Sequence, residues 1–481
     1  GTEALYYKLR SPIFRRRRQT IRSIVQHEFQ ISAPLEFVDH HLAHATSAYF
    51  TSGLTDATVI TMDGGGDGWS SHIYNVKDGA FERVGHTSSF NSVGNYYAYA
   101  TQLCGFKAQK HEGKVTGLAA HGRPIHVDLL DEFITFSEGR LRNRGRVLFR
   151  PAVRAIHRRL PNGWRREDLA SSIQTHTERL TTAYVGQHLS TGGSPHLAIA
   201  GGLFANVRIN QKLAEMPGVE SVFIHPGMTD VGLAVGAALA PCMRLGKNRR
   251  MDPVTRVLST VYVGPSYTPK EIASALDARN MAYTQPVDIE AEIAQLLADG
   301  YVVARFDGRM EYGPRALGNR SILYQPSDTS VNNWLNESLQ RTEFMPFAPS
   351  TLMDQADKSY KGVSSAREAA RFMTITFNCT EWMKQTCPGV VHLDGTARPQ
   401  LVRQADNPSY YRILDEFRRR TGVGTVVNTS FNMHEEPIVC TPDDAIRAFQ
   451  LGHLDAMAIG GFLVHSPRDP DRQLRAMAPG R

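Results

Sequence analysis

The sequence has few of the features that would tie a chain together covalently or place it in a membrane. Its 481 residues include five cysteines, Cys104, Cys242, Cys379, Cys387 and Cys440. They are scattered without a CxxC spacing and odd in number, which argues against a disulfide framework and a thiolate zinc site. No apolar run approaches the roughly 18 residues a membrane span needs. The start, with four arginines at 15–18, lacks the apolar core of a signal peptide. The expected location is therefore the cytoplasm, with no membrane partner. No basic stretch interleaved with aromatics marks an RNA surface. The basic clusters 15–18 and 418–420 read as solvated faces, and no nucleic-acid partner is expected.

What is present describes a large soluble protein. At 481 residues the chain exceeds one ordinary core, and an apolar fraction of 41% with 21% charged residues suits two or three globular domains. The net charge of +7 is carried mainly by arginine. Many arginines fall inside glycine-rich motifs, where bidentate binding of small phosphate-bearing substrates makes chemical sense.

The rest of the chain is read around residues 38–71. His40-His41-Leu42-Ala43-His44 runs into small residues without Gly or Pro, predicting a helix on which His40 and His44 share a face and can reach one metal ion. The same spacing also occurs in ordinary structural histidines. Residues 57–62 form a β-branched apolar run ending at Asp63, followed by Gly64-Gly65-Gly66-Asp67-Gly68, a buried strand breaking into a tight turn. Such a turn can offer N–H groups to a phosphate, and its aspartates can hold a cation.

Other segments are read in order. Residues 21–29 draw as an amphipathic helix, and 69–84 as a hairpin turning at 77–79. The stretch 107–122, with Lys110, Lys114, Gly113 and Gly117, suggests a loop leading into a helix near an anion. Residues 123–169 read as an arginine-rich insertion of helices and loops, and 169–189 as a long helix. The strand 196–200 ends in Gly201 and Gly202 before Asn206. That arrangement either lays a nucleotide against backbone or makes a close-packed corner. Strand 221–224 precedes Asp230 and a glycine- and alanine-rich helix at 231–238, and 247–256 reads as a linker. Beyond it come helices at 269–278 and 289–299 and strand 301–306. Residues 307–321 then supply Arg309, Arg315, Asn319 and Arg320 as an anion-binding surface. Arg341 lies in a stiff proline- and aromatic-framed segment, and Arg398 in a turn. Strand 425–427 leads to Asn428 and Ser430, which can bind a phosphate or a base.

These motifs, with Glu-Gly-Lys-x-x-Gly-Leu-Ala at 112–119, resemble the O-carbamoyltransferases of the nodulation and antibiotic-tailoring type over nearly the whole chain except its first part and residues 123–169. The resemblance implies an α/β protein of two domains. An actin/hexokinase-like (Kae1-like) ATPase-fold domain at 1–250 is followed by a YrdC-like domain at 258–481. The family's opening strand meander, with its His-Asp motif, is not found, so the first domain is expected to lack those strands. Gln340 stands where some relatives carry a lysine.

By the same resemblance His40, His44, Asp63 and Asp230 bind a divalent metal, iron(II) first, with manganese or zinc as alternatives. Lys114, Gly117, Gly201, Gly202, Asn206, Asn319, Arg320, Asn428 and Ser430 line nucleotide or phosphate contacts. Arg315, Arg341 and Arg398 stabilise formation of carbamoyl adenylate from carbamoyl phosphate and Mg-ATP. The implied product is a carbamoylated hydroxyl of an antibiotic or related metabolite; a homodimer is left open. Two other readings stand beside this one, a threonylcarbamoyl-type tRNA modifier and a non-catalytic ATP-binding scaffold.

Overall fold

The protein is described by a computed structural model that covers residues 2–243, 257–330, 339 and 347–466. It divides into two compact units, Gly1–Leu258 and Ser259–Arg481. The expected linker at 247–256, Gln340 and Arg341 lie outside the described residues. Among the described residues no helix is long and apolar enough to cross a membrane.

The first unit opens with a helix, Thr2–His27, that runs through Pro12 and is longer than the 21–29 segment expected from amphipathicity. The histidine helix, His40–Ser52, begins where Asp39 caps it, the Asp39 carboxylate accepting from Leu42 N at 3.0 Å. The unit's strands are β1 (Asp56–Gly66), β2 (Trp69–Lys77), β3 (Ala80–Ser88), β4 (Ile134–Ser137), β5 (Arg140–Asn143), β6 (His196–Ala200) and β7 (Ser221–Ile224). Five of them form a sheet in the order β3-β2-β1-β6-β7. β1 pairs antiparallel with β2, and parallel with β6 from Thr58↔Leu197 to Thr61↔Ala200.

Ala45, Ala48 and Tyr49 of the histidine helix pack on Val59, Tyr74 and Ala198. The same helix meets the helix Leu233–Leu239 backbone to backbone. A β-carbon on Gly236 would fall 1.7 Å from Ala43 O, and Thr46 Oγ donates to Gly236 O at 2.7 Å. Only glycine permits that approach.

Residues 123–169, expected as helices and loops, also contain the β4–β5 hairpin. Its turn, Glu138-Gly139, has both φ angles positive, at 53° and 69°, the conformation a two-residue hairpin loop requires. Along β5 the side chains alternate, Leu141 and Asn143 inward and Arg140 and Arg142 outward.

The second unit contains β8 (Val303–Phe306), β9 (Arg320–Tyr324), β10 (Ala348–Leu352), β11 (Phe377–Asn378), β12 (Thr396–Ala397), β13 (Gln400–Val402), β14 (Thr425–Ser430), β15 (Ala456–Ile459) and β16 (Phe462–His465). Seven make a mixed sheet, β13-β10-β14-β9-β8-β15-β16. Helices Ile289–Ala298 and Pro408–Thr421 cover its core through Ile293, Leu297, Ile413, Leu414 and Phe417 against Val303, Leu323 and Val426. Because the sheet is anchored this way, the loops at its strand ends can carry polar function.

Candidate metal centre and arginine site

In the first unit the helix, the end of β1 and the turn after β7 converge. His40, His44, Asp63 and Asp230 each bring one potential ligand atom to within 4.8 Å of the others. His40 Nε2 lies 2.7 Å from Asp63 Oδ2 and 3.8 Å from Asp230 Oδ1; His44 Nε2 lies 3.6 Å from both carboxylates. The His40 backbone N–H donates to Asp67 Oδ2 at 3.0 Å, and Gly66 packs directly on the His40 ring.

The electrostatics follow from this crowding. Burial alone would raise the Asp63 carboxyl, but His40 and His44, with the field of His41, outweigh it and hold it well below the usual carboxylate range. Asp230 is lowered chiefly by His44. The donor set also fits a cation. His44 Nδ1, His44 Nε2 and Asp63 Oδ1 are buried without a hydrogen bond, and two imidazoles with two carboxylates suit a borderline divalent ion.

His41 is fully buried. Its Nδ1 meets Thr61 Oγ at 2.9 Å and its Nε2 lies 3.6 Å from Asp63 Oδ1. Sequence reading singled out the i,i+4 pair and gave too little to His41, Gly66 and Asp67. The signal for Asp39, an Asx residue directly before a helix, was present in the sequence.

In the second unit Arg315 and Arg398, both half-buried, lie close enough for the charge of one to act on the other. Burial pushes the Arg315 guanidinium down to about 10. Burial, and then the charge of Arg315, drives Arg398 well below its ordinary value. Among the described residues no carboxylate offsets either shift, and Arg315 Nε is buried without a hydrogen bond. Two desolvated, mutually repelling cations make a ready anion site.

The surrounding loop is held by Glu311, whose Oε1 accepts from the backbone N–H groups of Leu317, Asn319 and Arg320 at 2.9, 2.7 and 3.1 Å. Gln400 and Asn428 tie the same loop to β13 and β14 through Leu317 O and Ala316 O.

The remaining expected residues are placed as follows. Arg320 is buried over the Phe306 ring and donates to the carbonyls of Asp307, Asn319, Pro265 and Gly308, while Arg309 donates to Val263 O and Gly264 O. Asn319 accepts from Arg305 and Asn407 and donates to Arg309 O. These groups shape the loop, whereas Arg315 Nε makes no hydrogen bond among the described residues. Ser430 Oγ donates to Asn432. In the first unit Asn206 caps helix Val207–Ala214 and exchanges hydrogen bonds with Gln174. A β-carbon on Gly202 would stand 3.8 Å from Asp63 Cβ, so this exposed backbone borders the His/Asp cluster. The Gly201 N–H donates to Met228 O at 2.6 Å. Lys114 lies within 5.9 Å of the Phe106 ring, and Gly117 faces open space.

Comparison with known proteins decides the family. The model for the carbamoyltransferase N-terminus matches residues 9–239 and that for the carbamoyltransferase C-terminus matches residues 294–466. The chain belongs to the carbamoyltransferase family. Among its relatives, an uncharacterized protein of Methanocaldococcus jannaschii is 34% identical over 460 residues, covering 89% of this chain and 73% of that protein. Nodulation protein NolNO of Sinorhizobium fredii is 32% identical over 465 residues, 92% of this chain and 66% of its own length. Nodulation protein NolO of Bradyrhizobium diazoefficiens is 32% identical over 441 residues, 89% and 78% respectively. A crystal structure of full-length HypF in its phosphate- and nucleotide-bound form aligns with 37% of this chain and 22% of that one, at 17% identity and a TM-score of 0.27. As a carbamoyltransferase, the chain is an enzyme that transfers a carbamoyl group.

Proposed function

We propose that this carbamoyltransferase carbamoylates a hydroxyl of a natural product, using carbamoyl phosphate and ATP by way of carbamoyl adenylate. In this reading carbamoyl phosphate, Mg-ATP and water give carbamoyl adenylate, phosphate and pyrophosphate in the second unit, a YrdC-like domain. The first unit, a Kae1-like domain, then passes the carbamoyl group to the alcohol and releases AMP. The carrying observation is the separation of two unlike sites, a His/Asp cluster in one unit and an uncompensated arginine pair in the other. The strand order β3-β2-β1-β6-β7 supports the first assignment.

Each site's residues suit its step. Joining a carbamoyl group to a nucleotide phosphate concentrates negative charge, and Arg315 and Arg398 would offer two neighbouring positive charges to it. His40, His44, Asp63 and Asp230 would hold the divalent ion, which supplies Lewis-acid polarisation of the carbamoyl carbonyl and the departing phosphate. Gly202 leaves exposed backbone beside Asp63, so a phosphate can approach without a side chain intervening. His41 is sealed from solvent and bonded to Thr61, so it is not placed to take the acceptor's proton, which would leave to water as AMP departs.

The test is incubation of the full chain with carbamoyl phosphate, Mg-ATP and a panel of alcohols, following AMP and product mass. AMP formation that depends on carbamoyl phosphate, with gain of one carbamoyl group on an alcohol, is expected. AMP formation indifferent to carbamoyl phosphate contradicts the reading.

A further inference from the structure

The first unit contains a cavity of about 1370 Å³ to which none of the roles above assigns a ligand. Sites for drug-sized ligands run roughly 300–1,000 Å³, so this one has room for a molecule of oligosaccharide size. Its walls come from the edge strand β3, the β4–β5 hairpin and the helix Arg166–Leu189.

The cavity adjoins the metal cluster through one turn. Trp69 lines it and pairs across the β1–β2 hairpin with Gly66, the residue pressed against the His40 ring. The buried His41 ring meets the backbone of the same Trp69. The cavity and the His/Asp cluster therefore share the β1–β2 turn.

Charge is the cavity's second feature. Arg140, Arg142, Arg144 and Arg146 line it, and no lining residue is acidic. The two-residue period of β5 sends Arg140 and Arg142 outward while Leu141 and Asn143 anchor the hairpin. Arg142 pairs with Glu138. Among the described residues Arg140, Arg144 and Arg146 have no carboxylate partner. The His86 imidazole, also in the wall, is pushed down first by burial and then by Arg83 and Arg140.

We propose that the alcohol this enzyme carbamoylates is itself anionic: a saccharide-sized acceptor bearing carboxylate, sulfate or phosphate groups, which Arg140, Arg144 and Arg146 engage while a hydroxyl reaches past Trp69 to the metal cluster. This rests on the reading that the first unit performs transfer. Planar guanidinium forks on a rigid hairpin match such oxyanions bidentately, and the absence of lining carboxylates disfavours a cationic acceptor.

The experiment is calorimetric titration of the full chain with a hyaluronate tetrasaccharide and with its carboxyl-reduced, neutral counterpart. The charged probe is expected to bind about tenfold more tightly, the scale of two or three partly exposed ion pairs, with the difference shrinking as salt rises. Arg140→Ser/Arg144→Ser/Arg146→Ser should erase the preference, and the matching triple lysine variant should retain most of it. Circular dichroism of each variant reports that it is folded. Equal binding of the two probes, or an undiminished preference in the triple serine variant, overturns the proposal. So does a single-stranded RNA that displaces the tetrasaccharide at lower concentration, since the groove would then belong to a nucleic acid. Failure of carbamoyl-phosphate-dependent AMP formation would count against the proposed reaction, and the binding comparison would still report on the acceptor.

Discussion

Gly66 lies against His40 so closely that a β-carbon at position 66 would fall 2.1 Å from the imidazole Cγ. The glycine turn is thus a wall that sets the ring's direction. Gly66→Ala should displace the imidazole and weaken divalent metal binding by about 10- to 100-fold, the range found when groups that orient a ligand are lost. Competition with a chromophoric chelator measures this. Unchanged affinity would show that His40 is not a ligand.

The cluster itself is tested by removing ligands. His40→Ala and His44→Ala should each strip the purified protein of its metal, because a site of two imidazoles and two carboxylates loses a strong donor. Elemental analysis showing equal metal in both variants and the parent would rule the cluster out.

Arg315 and Arg398 predict an unusual trade. Burial lowers both, and among the described residues no carboxylate offsets it, so Arg398→Ala should stabilise the ligand-free protein, on the order of 1 kcal/mol. Carbamoyl phosphate or pyrophosphate should raise the parent's Tm, by the equivalent of about 2.7 kcal/mol at a hundredfold excess over Kd. Arg398→Ala should lose that rise. A calorimetric scan in which anions stabilise both proteins equally would place the anion elsewhere.

Glu311 supplies one acceptor oxygen to three backbone donors. Glu311→Ala would leave those buried N–H groups unpaired, and about 3 kcal/mol of stability should be lost. Glu311→Gln, which keeps the oxygen, should cost about half as much or less. Urea midpoints separate the two, and equal losses would contradict the role given to Oε1.

Much of this was legible because local chemistry and tertiary contacts agreed. The histidine helix has no breaker and a preceding Asx cap, so its extent and the shared face of His40 and His44 follow from the sequence. The runs at 57–62, 196–200 and 221–224 are mostly apolar because the strands they form are largely buried. The place of Asp230 in the His/Asp cluster was implied by family resemblance; nothing local ties it to a helix nearly two hundred residues earlier, whereas the packing of Leu233–Leu239 on His40–Ser52 does so.

Other features depend on three-dimensional partners. A motif with Arg309, Arg315 and Arg320 reads as three anion ligands, yet Arg309 and Arg320 are spent on backbone carbonyls. Which guanidinium is taken up by backbone carbonyls is decided by distant residues, not by spacing. The β4–β5 hairpin escaped because its strands are four residues each, too short to show a period, and rich in arginine. Its turn, Glu138-Gly139, was the available signal.

The central claim is that two sites act in sequence, and rescue by the intermediate tests it most directly. Arg398→Ala should lose carbamoyl-phosphate-dependent AMP formation by about two to three orders of magnitude, whereas Asp230→Ala should keep adenylate formation and lose transfer to the alcohol. Synthetic carbamoyl adenylate, supplied with an acceptor, is predicted to restore product with Arg398→Ala and not with Asp230→Ala. Rescue of both variants, or of neither, would contradict the assignment of adenylation to the arginine pair and transfer to the His/Asp cluster.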